Sequence, residues 1–373
     1  MRYLFILGRN PALSKAEILA YFEKEENKIL YSVISGNGML VEPERPIRKD
    51  TIAHLGGVIA IGEVLESGSI KAIINNLGKK TIYLGKSNKI NYIIWDFCNQ
   101  KILEVFRDFL KSKFREESLK ATEKTMGNFI AMQNDETLKN ISSKKLIDER
   151  YFIFEDKQLH FGKIMQVNDY KEIEERDMKK PFRRSGLAIS PRLAKIMINL
   201  SLANNGEKII DPFCGIGVIL QEALLKGIKV TGVDKDKDAI KKALTNLEWA
   251  KFPKNNYFIS LGDSRNFNFH EANAVVTEPD LGQTMKKEPK DEELKAIMEN
   301  YENLMANILN NLKKSVSGRF VFTAPLILKN GKRISCDVGK IIRKTGLKLV
   351  EGFPIQDYRK NQIVGRDIFV LKK

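Results

Sequence analysis

The sequence predicts an α/β protein whose C-terminal half is a Rossmann-like, doubly wound parallel sheet. The first observation is the segment KIIDPFCGIGVILQEALLKGIKVTGVD, in which a short apolar strand, a turn with two glycines, a helix and a second strand follow one another. The second is that helix and strand patterns keep alternating to the C-terminus. The third is that acids follow four successive predicted strands, namely Asp211, Asp234, Asp263 and Glu278. Parallel strands joined by helices end at one edge of the sheet, so these acids predict one shared site.

The glycine turn indicates which ligand such a site would bind. Gly215 and Gly217 give only G-x-G, not the dinucleotide fingerprint G-x-G-x-x-G, and Asp211-Pro212-Phe213-Cys214 precedes them. A carboxylate at the opening of the turn would repel a pyrophosphate but would suit a cationic ligand. S-adenosylmethionine carries an ammonium and a sulfonium, so the acid favours this cofactor over NAD. The alternative is a glycine-rich connection that binds no ligand.

Composition limits the function classes. The chain has 373 residues with 63 Lys and Arg against 47 Asp and Glu, a net charge of +16. This charge favours a polyanionic partner, with nucleic acid first and an anionic membrane surface second. Three isolated cysteines and three isolated histidines predict neither a disulfide framework nor a metal site. No apolar stretch reaches membrane-spanning length and no signal peptide is recognisable, so we expect a cytoplasmic protein.

The chain order predicts three domains and a linker. Residues 1–66 have the strand and helix rhythm of a ferredoxin-like α+β domain, with Ser14 as the N-cap of its first helix and Glu17 completing a capping box. Residues 67–168 form a second α+β unit with interspersed basic residues. Residues 169–180 are charged and poor in apolar residues, which is typical of a linker. The Rossmann-like domain occupies residues 181–373.

A basic segment opens the last domain. In KKPFRRSGLAISPRLAKIMINLS, Ser190 and Pro191 are predicted to cap and begin a helix that leads into the glycine-turn strand. Arg183 and Arg184 lie just before that helix and could bind phosphate. The alternative is that they are only the basic end of a linker.

These motifs together resemble a known family. The block PFRRSGLAISPRLAKIMINL, the DPFCGIG turn with Asp234 and Asp263 beyond it, and the position of VVTEPDLG are similar to those of the THUMP-domain tRNA guanine-N2 methyltransferases, which methylate guanosine 10 of tRNA. The resemblance covers nearly the whole chain, although the N-terminal match is one of layout. It implies a ferredoxin-like domain, a THUMP domain and a class I methyltransferase domain that uses S-adenosyl-L-methionine. It also implies tRNA as partner and, from eukaryotic members, a small activating protein as a further candidate.

The resemblance also implies roles for single residues. Those predicted to bind the cofactor are Asp211, Pro212, Phe213, Gly215, Gly217, Asp234, Lys235, Asp263 and Ser264. Within this set, the segment from Asp211 to Gly217 would surround the methionine part, Asp234 would hold the ribose hydroxyls and Asp263 the adenine amino group. The predicted RNA-binding residues are Arg183, Arg184, Lys144 and Lys145, although composition alone would make the region of the two lysines an ordinary solvated face.

The predicted catalytic loop departs from the family pattern. The family has Asp or Asn, two prolines and an aromatic, whereas this chain has Glu278, Pro279, Asp280 and Leu281. An exocyclic amine needs hydrogen-bond acceptors that aim its nitrogen, and Glu278 keeps a carboxylate but is one methylene longer. Leu281 offers apolar contact without a π face, and Asp280 adds a second carboxylate. The prediction is a tRNA guanine-N2 methyltransferase. The alternatives are an RNA-binding relative that has lost catalysis and an N6-adenine or N4-cytosine DNA methyltransferase.

Overall fold

The computed structural model describes residues 1–98, 100–124, 147–183, 189–281, 285, 287–360 and 362–373. The chain divides into two compact units. The N-terminal unit contains Met1–Lys15 and Glu26–Glu172, and the C-terminal unit contains Ala16–Glu25 and Ile173–Lys373. Among the described helices, none combines the length and the apolar composition needed to cross a membrane.

The N-terminal unit is built on one eight-stranded sheet. Its strands are β1 Tyr3–Leu7, β2 Ile29–Ser35, β3 Gly38–Pro43, β4 Val58–Gly68, β5 Lys89–Phe97, β6 Lys120–Glu123, β7 Glu149–Glu155 and β8 Leu159–Val167. Its helical segments are α1 Pro11–Lys24, a 3₁₀ turn at Thr51–His54, α2 Ile70–Gly78 and α3 Gln100–Glu116, with α1 continuing into the C-terminal unit. The sheet order is β2-β3-β1-β4-β8-β7-β5-β6.

The sheet crosses the position at which we predicted a domain boundary. Strand β4 runs through residues 66 and 67 and pairs with β8 along its length. The separation of residues 1–66 from 67–168 as ferredoxin-like and THUMP domains therefore stays a prediction. The sequence also predicts a strand at residues 129–132, and these residues lie outside the described part of the chain.

The predicted cap of the first helix was wrong. Helix α1 begins at Pro11, and Asn10 caps it, because its side-chain Oδ1 accepts a 3.2 Å hydrogen bond from the amide of Leu13. Ser14 lies inside the first turn, where its hydroxyl donates to the carbonyl oxygens of Asn10 and Gly57 at 3.0 and 2.7 Å. The capping-box pattern at Ser14 and Glu17 does not mark the helix start, because the helix already begins at Pro11 and Ser14 is therefore an internal residue.

A buried histidine ties two strands of this sheet together. His160 on β8 is opposite Ser67 on β4, and its Nδ1 lies 2.8 Å from the Ser67 hydroxyl. Its Nε2 lies 3.0 Å from the carboxylate of Asp156, which also accepts from the hydroxyl of Tyr31 at 2.8 Å. Burial lowers the pKa of His160, although Asp156 opposes the shift. Both ring nitrogens are thus satisfied, and the residue acts as a cross-strand tie.

The C-terminal unit contains the predicted doubly wound sheet. Its strands are β9 Lys208–Asp211, β10 Lys229–Asp234, β11 Tyr257–Leu261, β12 Ala274–Thr277, β13 Phe320–Lys329, β14 Lys332–Ser335, β15 Lys348–Leu349, β16 Ile355–Asp357 and β17 Val364–Lys372. Its helices are α4 Tyr170–Lys179, α5 Pro191–Leu200, α6 Val218–Leu225, α7 Lys237–Trp249, α8 Asp291–Leu312 and α9 Val338–Thr345, with a 3₁₀ turn at Lys254–Asn256. The predicted linker 169–180 is therefore largely helical.

The strand order of this sheet determines where the predicted acids lie. It runs β11-β10-β9-β12-β13-β17-β15, with β14 paired to β13 and β16 to β17. The strands from β11 to β13 are parallel to their neighbours, and β17 is antiparallel to β13. Apolar side chains of β9, β12 and β13 pack against α8 in a continuous core, which explains why these strands read as unbroken apolar runs. This arrangement confirms the Rossmann-like fold.

Strand β13 has different neighbours along its length. It pairs with β12 as far as Phe322, opposite Thr277, and it pairs with β14 from Leu326 onward. Residues 323–325 lie between the two pairings, and Pro325 is among them. Proline is tolerated in this otherwise central strand because it lies where the ladder changes partner.

Candidate functional site

Four parallel strands bring their carboxyl ends to one edge of the C-terminal sheet. Asp211 ends β9, Asp234 ends β10 and Glu278 directly follows β12. Asp263 lies two residues beyond the end of β11. The strand order is therefore enough to bring the predicted acids to a common edge, as expected for ligand sites in open α/β sheets.

Asp211 is a buried carboxylate at the floor of this edge. Its Oδ1 accepts hydrogen bonds from the Thr277 hydroxyl at 2.6 Å and from the Phe213 amide at 3.2 Å, and the residue is 1% exposed. Burial raises its pKa to about 7, and the negative charges of Asp234 and Glu278 add to the shift. A buried carboxylate with so high a pKa would be stabilised in its ionised form by a bound cation.

The glycine turn contacts the carboxylate of Asp234 through a backbone amide. Gly215 and Gly217 both have left-handed backbone conformations, with φ of +49° and +86°. The Gly215 amide donates to Asp234 Oδ2 at 2.8 Å, and the Asp236 amide donates to Oδ1 at 3.0 Å. A Cβ added at Gly215 would meet no protein atom within 4 Å, so the space beside this backbone is open. At Gly217 a Cβ would touch Ala243 of α7 at 3.5 Å.

The acid beyond β11 has a partner of its own. Asp263 is exposed, and its carboxylate accepts from the Arg265 side chain, including a 3.0 Å bond from Nε, and from the Arg265 amide at 3.0 Å. The Arg265 guanidinium lowers the pKa of Asp263 to about 2. The buried hydroxyl of Ser264 donates to the Pro212 carbonyl at 2.6 Å and so attaches this loop to the glycine turn. Lys235 is exposed.

A cleft that is partly open to solvent lies at the same edge. Its lining includes Asp211 and Glu278 together with Phe213, Gly215 and Ile189. The lining therefore combines two carboxylates, apolar surface and glycine backbone, which suits a ligand with a cationic group on an apolar body.

The predicted catalytic loop is only partly directed at this cleft. Glu278 lines it, and its Oε1 accepts a 2.6 Å hydrogen bond from Nε of Arg366 on β17. Pro279 and Leu281 are buried, with Leu281 only 4% exposed, and Asp280 is exposed. Leu281 thus contributes to packing in this structure, whereas Glu278 is the loop residue that lines the cleft.

The basic segment before α5 lines the cleft at Ile189, and its other described end is linked to the glycine turn through Asn246. Asn246 of α7 fixes Phe182 by two hydrogen bonds, donating to its carbonyl at 3.1 Å and accepting from its amide at 3.0 Å. The same side chain donates to the carbonyl of Ile216 in the glycine turn at 3.1 Å. Ser190 caps α5 as predicted, because its side chain accepts from the Leu193 amide at 3.2 Å.

Of the four predicted RNA-binding residues, one is described. Arg183 is exposed, and its guanidinium lies 3.6 Å from the Asp177 carboxylate. Arg184, Lys144 and Lys145 lie outside the described residues.

Three residues of the site escaped the sequence reasoning. Thr277, Asn246 and Arg366 each contact a predicted site residue or the backbone of the glycine turn, from 30 to 88 positions away in sequence. Thr277 belongs to the VVTEPDLG segment, but nothing in that segment predicts its contact with Asp211. Asn246 and Arg366 lie outside the quoted motifs, and only the three-dimensional structure brings them to the site.

Comparison with known sequences identifies the domain that carries this site. Residues 178–324 match a family described as UPF0020, an RMKL-like methyltransferase domain. The chain is 28% identical over 290 residues to a tRNA (guanine(10)-N2)-dimethyltransferase of Pyrococcus abyssi, covering 76% of this chain and 78% of the relative. A protein with the same name from Methanothermobacter thermautotrophicus is 38% identical over 108 residues, which is 29% of this chain and 31% of the relative.

Comparison with solved structures supports the fold. The crystal structure of TrmN from Thermus thermophilus superposes with a TM-score of 0.52 at 14% identity, covering all of both chains. The likeness extends over the whole length of the chain and shows that the two proteins share a fold.

Proposed function

We propose that this chain, which belongs to the tRNA (guanine-N2) methyltransferase family, methylates the exocyclic N2 of a guanosine in tRNA and uses S-adenosylmethionine as the donor. The observation that carries the proposal is that Asp211 and Glu278 line one cleft beside the left-handed glycine turn. One carboxylate then has the surroundings to bind a cationic donor, and the other has the position to hold an amine.

The residues present fit the donor. S-adenosylmethionine supplies a methyl group on a positively charged sulfonium, next to an α-ammonium. Asp211 provides a buried negative charge for the ammonium, and the open space at Gly215 lets the ligand approach the backbone. Asp234 would accept from the ribose hydroxyls. The exposed carboxylate of Asp263 already accepts from Arg265, and it would accept an additional hydrogen bond from the adenine amino group.

Glu278 would hold the guanine amine. A carboxylate accepts several hydrogen bonds, so Glu278 can keep its contact with Arg366 and accept another from the amine. The backbone carbonyl of Pro279 is the second acceptor proposed for the loop. The negative charge of Glu278 would also stabilise the positive charge that develops on the amine nitrogen during transfer.

A tRNA substrate is consistent with the net charge of +16. Arg183, Arg184, Lys144 and Lys145 are the proposed phosphate contacts, and the THUMP-like part would hold the acceptor end of the tRNA. The names of the relatives specify guanine 10 and dimethylation, so we propose this position and either one or two methyl groups per nucleotide. A tRNA substrate also favours action in the cytoplasm, and a small activating subunit stays a candidate partner.

The test is methyl transfer by the purified chain. It is incubated with labelled S-adenosylmethionine and unmodified tRNA from its own source, and the product nucleosides are identified by mass spectrometry. We expect N2-methylated guanosine at one position, donor binding that survives in Glu278→Ala, and no transfer by that variant. Label in another nucleoside would contradict the proposal, and unchanged transfer by Glu278→Ala would remove that residue from the site.

A second function is favoured by one observation. Leu281 is buried and Asp280 is exposed, so the loop presents no aromatic surface at the position where the family has one. An RNA-binding relative without catalysis would bind tRNA tightly and leave it unlabelled in the same experiment. Competition between tRNA and duplex DNA for binding tests the remaining alternative, an adenine-N6 or cytosine-N4 DNA methyltransferase.

A further inference from the structure

Glu278 and Arg366 form an ion pair that bridges strand β13. Glu278 follows β12 on one side of β13, and Arg366 lies in β17 on the other side, opposite Pro325. The Nε of Arg366 donates to Oε1 of Glu278 at 2.6 Å, with the two side chains only 14% and 10% exposed. Such a short, charge-assisted hydrogen bond in a largely buried place fixes the orientation of a carboxylate.

The length of the two side chains is what allows this bridge. Neighbouring strands lie about 4.8 Å apart, so the backbones of β12 and β17 on either side of β13 are separated by about 9–10 Å. Two long side chains can span that separation. An aspartate at position 278 would withdraw the carboxylate by about an ångström and lose the contact. The lengthened acid and Arg366 are therefore matched to each other.

We infer that Arg366 is a positioning residue that holds the Glu278 carboxylate in the orientation required to bind the guanine amine. Arg366 acts through Glu278 and not on the substrate. The inference rests on the proposed function, because it assigns a use to the carboxylate that the cleft presents. It also accounts for the departure of this loop from Asp or Asn, since the extra methylene is held in place by the guanidinium.

The charges of the cleft give Arg366 a second effect in the same direction. Asp211 and Glu278 are two carboxylates facing one cleft, and their mutual repulsion contributes to the raised pKa of Asp211. The Arg366 guanidinium is paired with Glu278 and offsets part of this negative charge.

The test compares Arg366→Ala, Arg366→Lys and Glu278→Asp with the wild type in tRNA methylation. A matched control is Arg319→Ala, because Arg319 directly precedes β13, is 17% exposed and is paired with Glu23 at 2.8 Å, but at the opposite edge of the sheet. Each variant is measured for kcat, KM for tRNA, donor Kd by calorimetry and melting temperature.

We expect Arg366→Ala and Glu278→Asp to lower kcat by about 100-fold while KM and donor Kd change by less than about threefold. Arg366→Lys should recover to within about tenfold of wild type, because it restores the charge at nearly the same length. Arg319→Ala should lower the melting temperature and leave kcat within about twofold. If Arg366→Ala does not fold, Arg366→Gln takes its place.

The outcomes separate this inference from the proposed function. If Glu278→Ala abolishes transfer while Arg366→Ala or Glu278→Asp retains the wild-type kcat, the positioning role is overturned and the proposed function stands. If the wild type transfers no methyl group to guanosine, both are overturned. A fall in kcat that matches that of Arg319→Ala would show that the ion pair is only structural.

Discussion

Replacing Asp211 with asparagine is predicted to remove a pH dependence from donor binding. In the wild type, burial raises the pKa of this carboxylate to about 7, so it is largely protonated in mildly acidic solution. A cationic donor binds to the ionised form, and the carboxylate must lose its proton when the complex forms. The asparagine variant has no proton to lose at this position.

The magnitude follows from the fraction of Asp211 that is ionised. With a pKa of about 7, roughly half of the carboxylates are ionised at pH 7.0 and roughly 3% at pH 5.5. The donor Kd should therefore be roughly 15-fold weaker at pH 5.5 than at pH 7.0. At pH 7.0 the asparagine variant should bind roughly 10- to 100-fold more weakly than the wild type, because a charge-assisted contact is lost.

The assay is calorimetry at both pH values in two buffers with different ionisation enthalpies, which reports the protons released on binding. The wild type should release close to one proton per donor at pH 5.5, and Asp211→Asn should release none and have a Kd that is nearly constant with pH. Thr277→Val is the companion variant, because losing the 2.6 Å hydrogen bond should raise the pKa and move the dependence to higher pH. A wild-type Kd that is equal at the two pH values, with no proton release, would refute the assignment of Asp211.

Three further predictions concern the stability of the fold and the backbone of the site. Because the folded-state pKa of Asp211 is raised, the stability that its neutral form contributes is lost as the pH rises through about 7. At pH 8 the Asp211→Asn variant should therefore melt at a higher temperature than the wild type, with a gain in free energy of unfolding of at most about 4 kcal/mol. A lower melting temperature of the variant would contradict this. Gly215→Ala should lower the free energy of unfolding by about 1–2 kcal/mol, because alanine is strained in the left-handed conformation of this residue. The variant should also lose most of its donor affinity, measured as Kd by calorimetry, because the added methyl group enters the open space beside the turn. Because the folded-state pKa of His160 is lowered, its contribution to the free energy of unfolding is present above pH 6.5 and is lost as the pH falls below that value. Melting temperatures of the wild type should show this loss between pH 7 and 5, and His160→Gln should not show it.

Much of the C-terminal unit could be predicted because its local patterns and its tertiary structure agree. Strand, glycine turn, helix and acid followed one another within 27 residues, and the parallel order then fixed where the acids lie. The cap at Ser190 was correct for the same reason, since Pro191 and the apolar face of α5 support one boundary. The cap at Ser14 was wrong because Asn10 and Pro11 start the helix four residues earlier, which leaves Ser14 inside it.

Contacts that depend on register could not be predicted. Arg366 meets Glu278 only because β17 returns antiparallel beside β13, a pairing between residues 88 positions apart. The short strands β14, β15 and β16 were also missed, since two to four residues of ordinary composition carry no periodic signal. The partner that occupies Asp263 was missed as well, although Arg265 is only two residues away, because an exposed acid gives no sign of which neighbour it chooses.

The change of partner along β13 has a structural consequence for engineering. An ordinary residue in place of Pro325 would bring an additional amide hydrogen into a stretch where the neighbour on one side is changing from β12 to β14. That hydrogen would need an acceptor where the pairing with β12 has ended and the pairing with β14 has not begun. Pro325 has no amide hydrogen and avoids this requirement, so replacing this buried proline with another residue is expected to destabilise the sheet.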